Sequence, residues 1–367
     1  MKFDKRQTNI AKGVALLLLL WHHLFYKHTD YFALFDSVAL VDGIPLESQI
    51  ASYGKVCVAI FLLLSGYGMY KSGQSLQRRM SAAGRGLRIT DHLRFVKNHF
   101  IKLMADYWLV YFIFVPLGIC FGVYFWEVYQ QNFGNGVLDF FALSFYFRTP
   151  SMNPSWWYMS IILAFYLLFP LFKKWADVLP ELMLAVALGI MLWPEQWRQS
   201  AEFQEVCRYI EWLPPLMLGM LMARCGGFER VQRRYPHWWQ GALFAVPAVA
   251  LTAYQRCMTK QDVRFDALFA LAIVFLCYLV LSHIPVVSGG LAWLGGYSGT
   301  VYMLHTFVFL LYGKDWVYSL RIPPLIYVVV LAVCLLLAIG IKYLKKLLRI
   351  DKLIAKITYQ PSVVSRQ

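Results

Sequence analysis

Lys12, His22 and His23 stand within one apolar run near the start of the chain, AKGVALLLLLWHHL. Ionisable groups are expensive inside a hydrocarbon layer, so each one there is a candidate for function. The spacing is Lys-x10-His from Lys12 to His23. At about 100° per residue, a helix brings His23 to within about 20° of the Lys12 face, roughly 16 Å further along the axis. A cation at one end of such a groove can hold an anionic group. An imidazole at the other can take a proton near neutral pH. His22 projects about 100° away from His23 and is the alternative base. Taken singly, Lys12 also reads as a snorkelling anchor and His23 as a hydrogen-bonded structural histidine. Both readings stand at this point.

Further chemistry-bearing residues recur along the chain. Ser298, Tyr302 and His305 fall at i, i+4 and i+7, one face of a helix, with His305 turned to the interior of a bundle. Trp156, Trp157 and Tyr158 open another apolar stretch, as an interfacial aromatic belt or as a sugar-stacking surface. Lys102 and Asp106 are spaced as an i,i+4 ion pair, with Lys12 as the other partner open to Asp106, and Tyr107 follows directly. Ser65-Gly66 lacks the G-x-S-x-G elbow of an acyl-serine enzyme, so close helix packing at Gly66 is expected there. Seven cysteines with no C-x-x-C spacing read as small apolar packing residues, and neither a metal site nor disulfides are expected.

The elements that position these residues follow from composition. Of 367 residues, 59% are hydrophobic, 17% aromatic and only 15% charged, and the mean hydropathy is +0.53. A soluble domain, a disordered chain and a disulfide-stapled secreted module are excluded. The expectation is an all-α polytopic membrane protein with about ten spans: 10–27, 50–70, 102–126, 155–172, 179–194, 209–223, 238–255, 266–284, 291–313 and 322–341. A shorter apolar piece, 137–147, is too brief to cross and reads as re-entrant or interfacial. The net charge of +15 is an inside excess when the N-terminus is cytoplasmic, so nucleic acid is not needed as a partner. Lys2, Lys5 and Arg6 precede the first apolar run, but no small-x-small site follows it, so it reads as a retained helix rather than a signal peptide. The cations between Lys71 and Lys102 are topology determinants on the inner side. One integral domain, 1–346, and a basic cytoplasmic tail, 347–367, account for the chain, with both termini inside a cytoplasmic (inner) membrane and lipid as a partner.

The Lys-x10-His segment resembles the first-helix signature of the membrane acyltransferase 3 family. Further pieces follow in that family's order. Phe61-Leu62-Leu63-Leu64-Ser65-Gly66-Tyr67 resembles its F-F-x-L-S-G helix, and Trp157-Tyr158-Met159-Ser160 with Phe165-Tyr166-Leu167-Leu168-Phe169-Pro170 resembles its W-F-L-S and F-Y-L-x-x-P helix. Leu218-Gly219-Met220 fits a later L-G helix, and the segment from Ser298 to His305 fits the S-x-x-x-Y-x-x-H ending. The resemblance runs from residue 8 to about 341. Two departures stand out: His99, Lys102, Ala105 and Tyr107 occupy the stretch where the family often has two arginines and Pro-x-Tyr, and Ile162 replaces a frequent glutamate.

The resemblance implies transfer of an acyl group, most commonly acetyl, from coenzyme A to a hydroxyl of a cell-surface glycan. In that scheme His23 is the general base, with His22 as its alternate and His305 positioning the acceptor or the thioester oxygen. Lys12, Ser65, Lys102 and Tyr107 are the candidate coenzyme A contacts, and Trp157, Tyr158 and Tyr302 the candidate acceptor contacts. A transporter or flippase for a glycan or lipid precursor is the competing reading, since many spans, intramembrane histidines and the Pro214-Pro215 break suit it as well.

Overall fold

The computed structural model describes residues 2–26, 29–86, 88–194, 196, 200–259 and 263–358; residues 359–367 of the expected tail lie outside the described residues. The backbone is helical nearly throughout, with one two-residue antiparallel pairing, Leu40–Val41 against Ile44–Pro45. Among the described residues, six helices are long and apolar enough to cross a membrane: Lys5–Phe25, Leu46–Ala82, Ile89–Phe121, Pro154–Val178, Val263–His283 and Pro323–Leu347. The bent pair Pro285–Gly295 and Ser298–Leu311 makes a seventh if it is a single span.

The expected count of about ten is not confirmed among the described residues, and the reason is local. The stretch read as 179–194 forms only Pro180–Met191, and 209–223 forms only Leu213–Cys225. At about 1.5 Å per residue each covers roughly 20 Å, short of a hydrocarbon core of about 30 Å. The first ends early, at Met191, and the second starts late, at Leu213 with Pro214-Pro215 in its first turn. Trp238–Met258 has the length, but Gln240, Gln255 and Arg256 flank its short apolar centre and leave it too polar for a span.

The chain divides into two compact units, residues 1–73 with 171–298, and residues 74–170 with 299–367. In the first unit, helix α1 (Lys5–Phe25) begins where the Asp4 carboxylate accepts from the backbone N–H of Arg6 at 2.8 Å and of Gln7 at 3.1 Å, satisfying donors that the first turn leaves unpaired. Its buried face, including Ile10, Leu16, Leu20 and Leu24, joins the unit's core. Helix α2 (Leu46–Tyr53) lies against the far end of α1 and leads into α3 (Val56–Ala82). Gly66 of α3 meets the backbone of Leu216, and Gly219 meets that of Leu63, so any Cβ at either position collides with main chain. That is the close helix approach expected at Gly66.

In the second unit, helix α4 (Ile89–Leu117) carries a buried aromatic layer of Tyr107, Tyr111 and Phe114. Trp156 and Phe307 pack on it, with Tyr107–Trp156 centroids at 4.7 Å and Phe114–Phe307 at 5.1 Å. Buried polar groups in this layer are paired, as they must be away from water. Trp156 Nε1 donates to the Met303 carbonyl at 2.9 Å, Asn153 Nδ2 donates to the same oxygen at 3.2 Å, and Ser155 Oγ bonds Thr306 Oγ1 at 2.8 Å.

Candidate functional site

The predicted residues fall into both units, and each group is built separately. In the first unit, Lys12 is half-buried on α1. Among the described residues its ammonium makes no hydrogen bond and no ion pair. That sets it apart from Lys173, which holds Asp177 at 2.6 Å, and Lys345, which holds Asp106 at 2.6 Å. Ser65 is half-buried on α3 next to the Gly66 contact.

His22 and His23 are both half-buried at the far end of α1. Their rings meet edge to face, with centroids 5.3 Å apart at 76°. His22 also stacks on Tyr26 at 4.8 Å. Its Nδ1 lies 2.7 Å from the carbonyl oxygen of Ala51. A carbonyl only accepts, so Nδ1 carries the proton and the tautomer of His22 is fixed by a residue on α2.

In the second unit, Lys102 is exposed and Asp106 pairs with Lys345, which also reaches Asp351 at 3.1 Å. The expected Lys102–Asp106 and Lys12–Asp106 pairings are thereby corrected. Asp106 found its counter-ion 239 positions away, a partner no i,i+4 rule identifies. Tyr107 is fully buried and its hydroxyl donates to the Asp139 carbonyl at 2.6 Å. Trp157 and Tyr158 are half-buried, with Tyr158 edge-on to Tyr302 at 5.4 Å. The Tyr302 hydroxyl donates to the Ser155 carbonyl. His305 is fully buried, with Nδ1 2.7 Å from the Tyr302 carbonyl and Nε2 3.4 Å from the Thr306 hydroxyl. Tyr302 and His305 are buried, and so is Ser298, the last residue of the first unit, as their shared helix face required.

Two further buried polar centres accompany these residues. Asp139, 1% exposed on the short helix Phe133–Phe140, accepts from the Tyr129 hydroxyl at 2.6 Å, the Met152 N–H at 2.9 Å and Ser144 Oγ at 3.1 Å. Burial pushes its carboxyl above the ordinary range, against the pull of those donors and of Ser151. The Tyr129 phenol is raised in turn, by burial first and by the Asp139 charge second. In the first unit, Arg256 and Asp266 form an ion pair in which both side chains are 1% exposed, and Arg256 also donates to the Ser52 carbonyl at 3.2 Å. A signal for this pair was present in the sequence. One Arg and one Asp stand at the facing ends of consecutive apolar stretches, where single charges need a counter-ion.

Comparison with known proteins gives one match. The acyltransferase domain model of the acyltransferase 3 family aligns with residues 7–343, nearly the whole chain. No curated protein and no solved structure matches the chain significantly.

Proposed function

This chain belongs to the acyltransferase 3 family and is a membrane acyltransferase, and we propose that it moves an acetyl group from coenzyme A to a hydroxyl of a glycan outside the cytoplasmic membrane. The observation that carries the donor assignment is Lys12, a half-buried cation in a membrane-length helix with no counter-ion among the described residues. Intramembrane charges are normally partnered, and a coenzyme A phosphate supplies the missing anion. The inner end of α1 is then the donor end, with the N-terminus and the C-terminal tail both cytoplasmic.

The His22–His23 pair stands farther along the same helix, roughly 16 Å from Lys12. His23, on the Lys12 face, is the general base. It takes the proton of the acceptor hydroxyl as that oxygen attacks the thioester carbonyl. The new O–C bond forms, the C–S bond breaks, and the coenzyme A thiolate leaves to be protonated to the thiol. Ser65, half-buried on α3 of the same unit, is a further donor contact.

The test is thiol release from acetyl-coenzyme A by protein purified in detergent, with and without a polysaccharide acceptor. Acceptor-dependent release is expected, and His23→Ala is expected to lower it by about 10²- to 10⁴-fold with an unchanged melting curve. A thioester left intact by the wild type refutes acetyl transfer. Near-normal turnover by the His23 variant refutes the base.

A further inference from the structure

The last turn of α1 is sewn to α2 on both sides of His23. Trp21 Nε1 donates to the Glu47 carbonyl at 3.3 Å, and His22 Nδ1 donates to the Ala51 carbonyl at 2.7 Å. Beyond His23, Ser48 Oγ donates to the Phe25 carbonyl at 2.7 Å, one of the helix-end acceptors that α1 cannot satisfy itself. Residues 21, 22 and 25 thus take their place from α2, on either side of His23.

The acceptor end of this arrangement is itself braced. The Ala51 carbonyl accepts from the Gly54 N–H at 3.0 Å and, on its second lone pair, from His22 Nδ1 at 2.7 Å, while Arg256 takes the Ser52 carbonyl. Arg256 is fixed by its buried ion pair with Asp266. Gly54, directly after α2, allows the close approach. A Cβ there would stand 2.6 Å from the Leu18 carbonyl oxygen and 2.8 Å from the His22 Cβ.

We propose that the C-terminal turn of α2 is an orienting clamp for His23, with His22 as its hydrogen-bonding contact and Arg256 and Gly54 as its supports. His22 is then a positioning residue whose donor nitrogen matters and whose second nitrogen does not. The edge-to-face contact at 5.3 Å passes the fixed plane of the His22 ring to His23. The proposal rests on the reading of His23 as the base.

The test uses His22→Ala, His22→Asn and Gly54→Ala in the full chain, read by two independent measurements. Asparagine carries an N–H donor near the place of Nδ1 but has no imidazole. His22→Ala and Gly54→Ala are expected to lower kcat by about 10- to 100-fold, the scale of a small misplacement at a reacting group, with the donor KM little changed. His22→Asn is expected to recover most of the loss in His22→Ala. The second measurement is the rate of His23 carbethoxylation by diethyl pyrocarbonate, located by peptide mass spectrometry. It is expected to change several-fold in His22→Ala and Gly54→Ala and to return toward the wild-type rate in His22→Asn. A folded His22→Asn protein as inactive as His23→Ala overturns the clamp, because His22 is then itself the base. An unchanged His23 modification rate in all three variants overturns it as well. Clamp-dependent modification in a protein that leaves acetyl-coenzyme A intact supports the clamp and sinks the acyl-transfer reading, so the two failures separate.

Discussion

Replacing Lys12 by methionine separates donor binding from folding. Methionine keeps the length and much of the apolar stem, so packing along α1 changes little, while the charge is lost. The Lys12 ammonium forms no hydrogen bond or ion pair among the described residues, so the substitution leaves no orphaned partner behind. Taking an unpaired charge out of a half-buried site removes a desolvation cost rather than a stabilising bond, and the melting temperature is expected to hold or rise. Donor binding goes the other way. A hydrogen bond to a charged group contributes about 1.5–3 kcal/mol, so one lost ammonium–phosphate contact raises the donor KM by about 10- to 150-fold. The contact is made alike before and at the transition state, so kcat is expected to stay near the wild-type value. The assay is initial rate against acetyl-coenzyme A concentration at saturating acceptor, beside a melting curve in the same detergent. A donor KM that does not move, or a fall of several degrees in melting temperature, refutes the reasoning and returns Lys12 to a structural anchor.

Two other outcomes are expected. Because burial raises the Asp139 carboxyl above its ordinary value of about 3.9, its stabilising contribution is full below that value and is lost as pH rises through the elevated one. The melting temperature of the wild type, relative to Asp139→Asn, should therefore fall as pH is raised from about 4. A difference that grows with pH contradicts the sign. For topology, single cysteines placed at Asp36 and Arg79, in a background lacking the exposed Cys120 and Cys257, should be labelled from opposite sides of intact cells and inverted vesicles. Labelling of both from one side overturns the orientation with a cytoplasmic N-terminus.

The parts legible in the sequence were those fixed by short-range rules. Helix α1 with its Lys12-to-His23 register, the close packing at Gly66 and the buried face of Ser298, Tyr302 and His305 all follow from helical periodicity, and all are present. The span count was less legible, because apolar content does not say where a helix starts. The stretches 179–194 and 209–223, apolar enough to suggest full spans, hold helices of 12 and 13 residues, the first ending at Met191 and the second starting only at Leu213. Charge pairing was least legible. Asp106 has Lys102 four positions away and still pairs with Lys345, since a pair made between helices depends on packing that no local spacing encodes.

The same limit explains why two adjacent histidines could not be told apart in role from the sequence. Periodicity gives their directions, about 100° apart, but a role depends on which nitrogen carries the proton, and that is decided by the group each ring faces. For His22 that group is the Ala51 carbonyl, 29 positions away and at the end of a different helix. That carbonyl also accepts from the Gly54 N–H that caps α2, and its second lone pair serves His22. α2 can stop against α1 because Gly54 has no side chain, and Arg256 takes the neighbouring Ser52 carbonyl. Each link is an ordinary response to an unsatisfied helix end or a crowded backbone. Together they fix the ring of His22, and helical periodicity puts His23 on the Lys12 face.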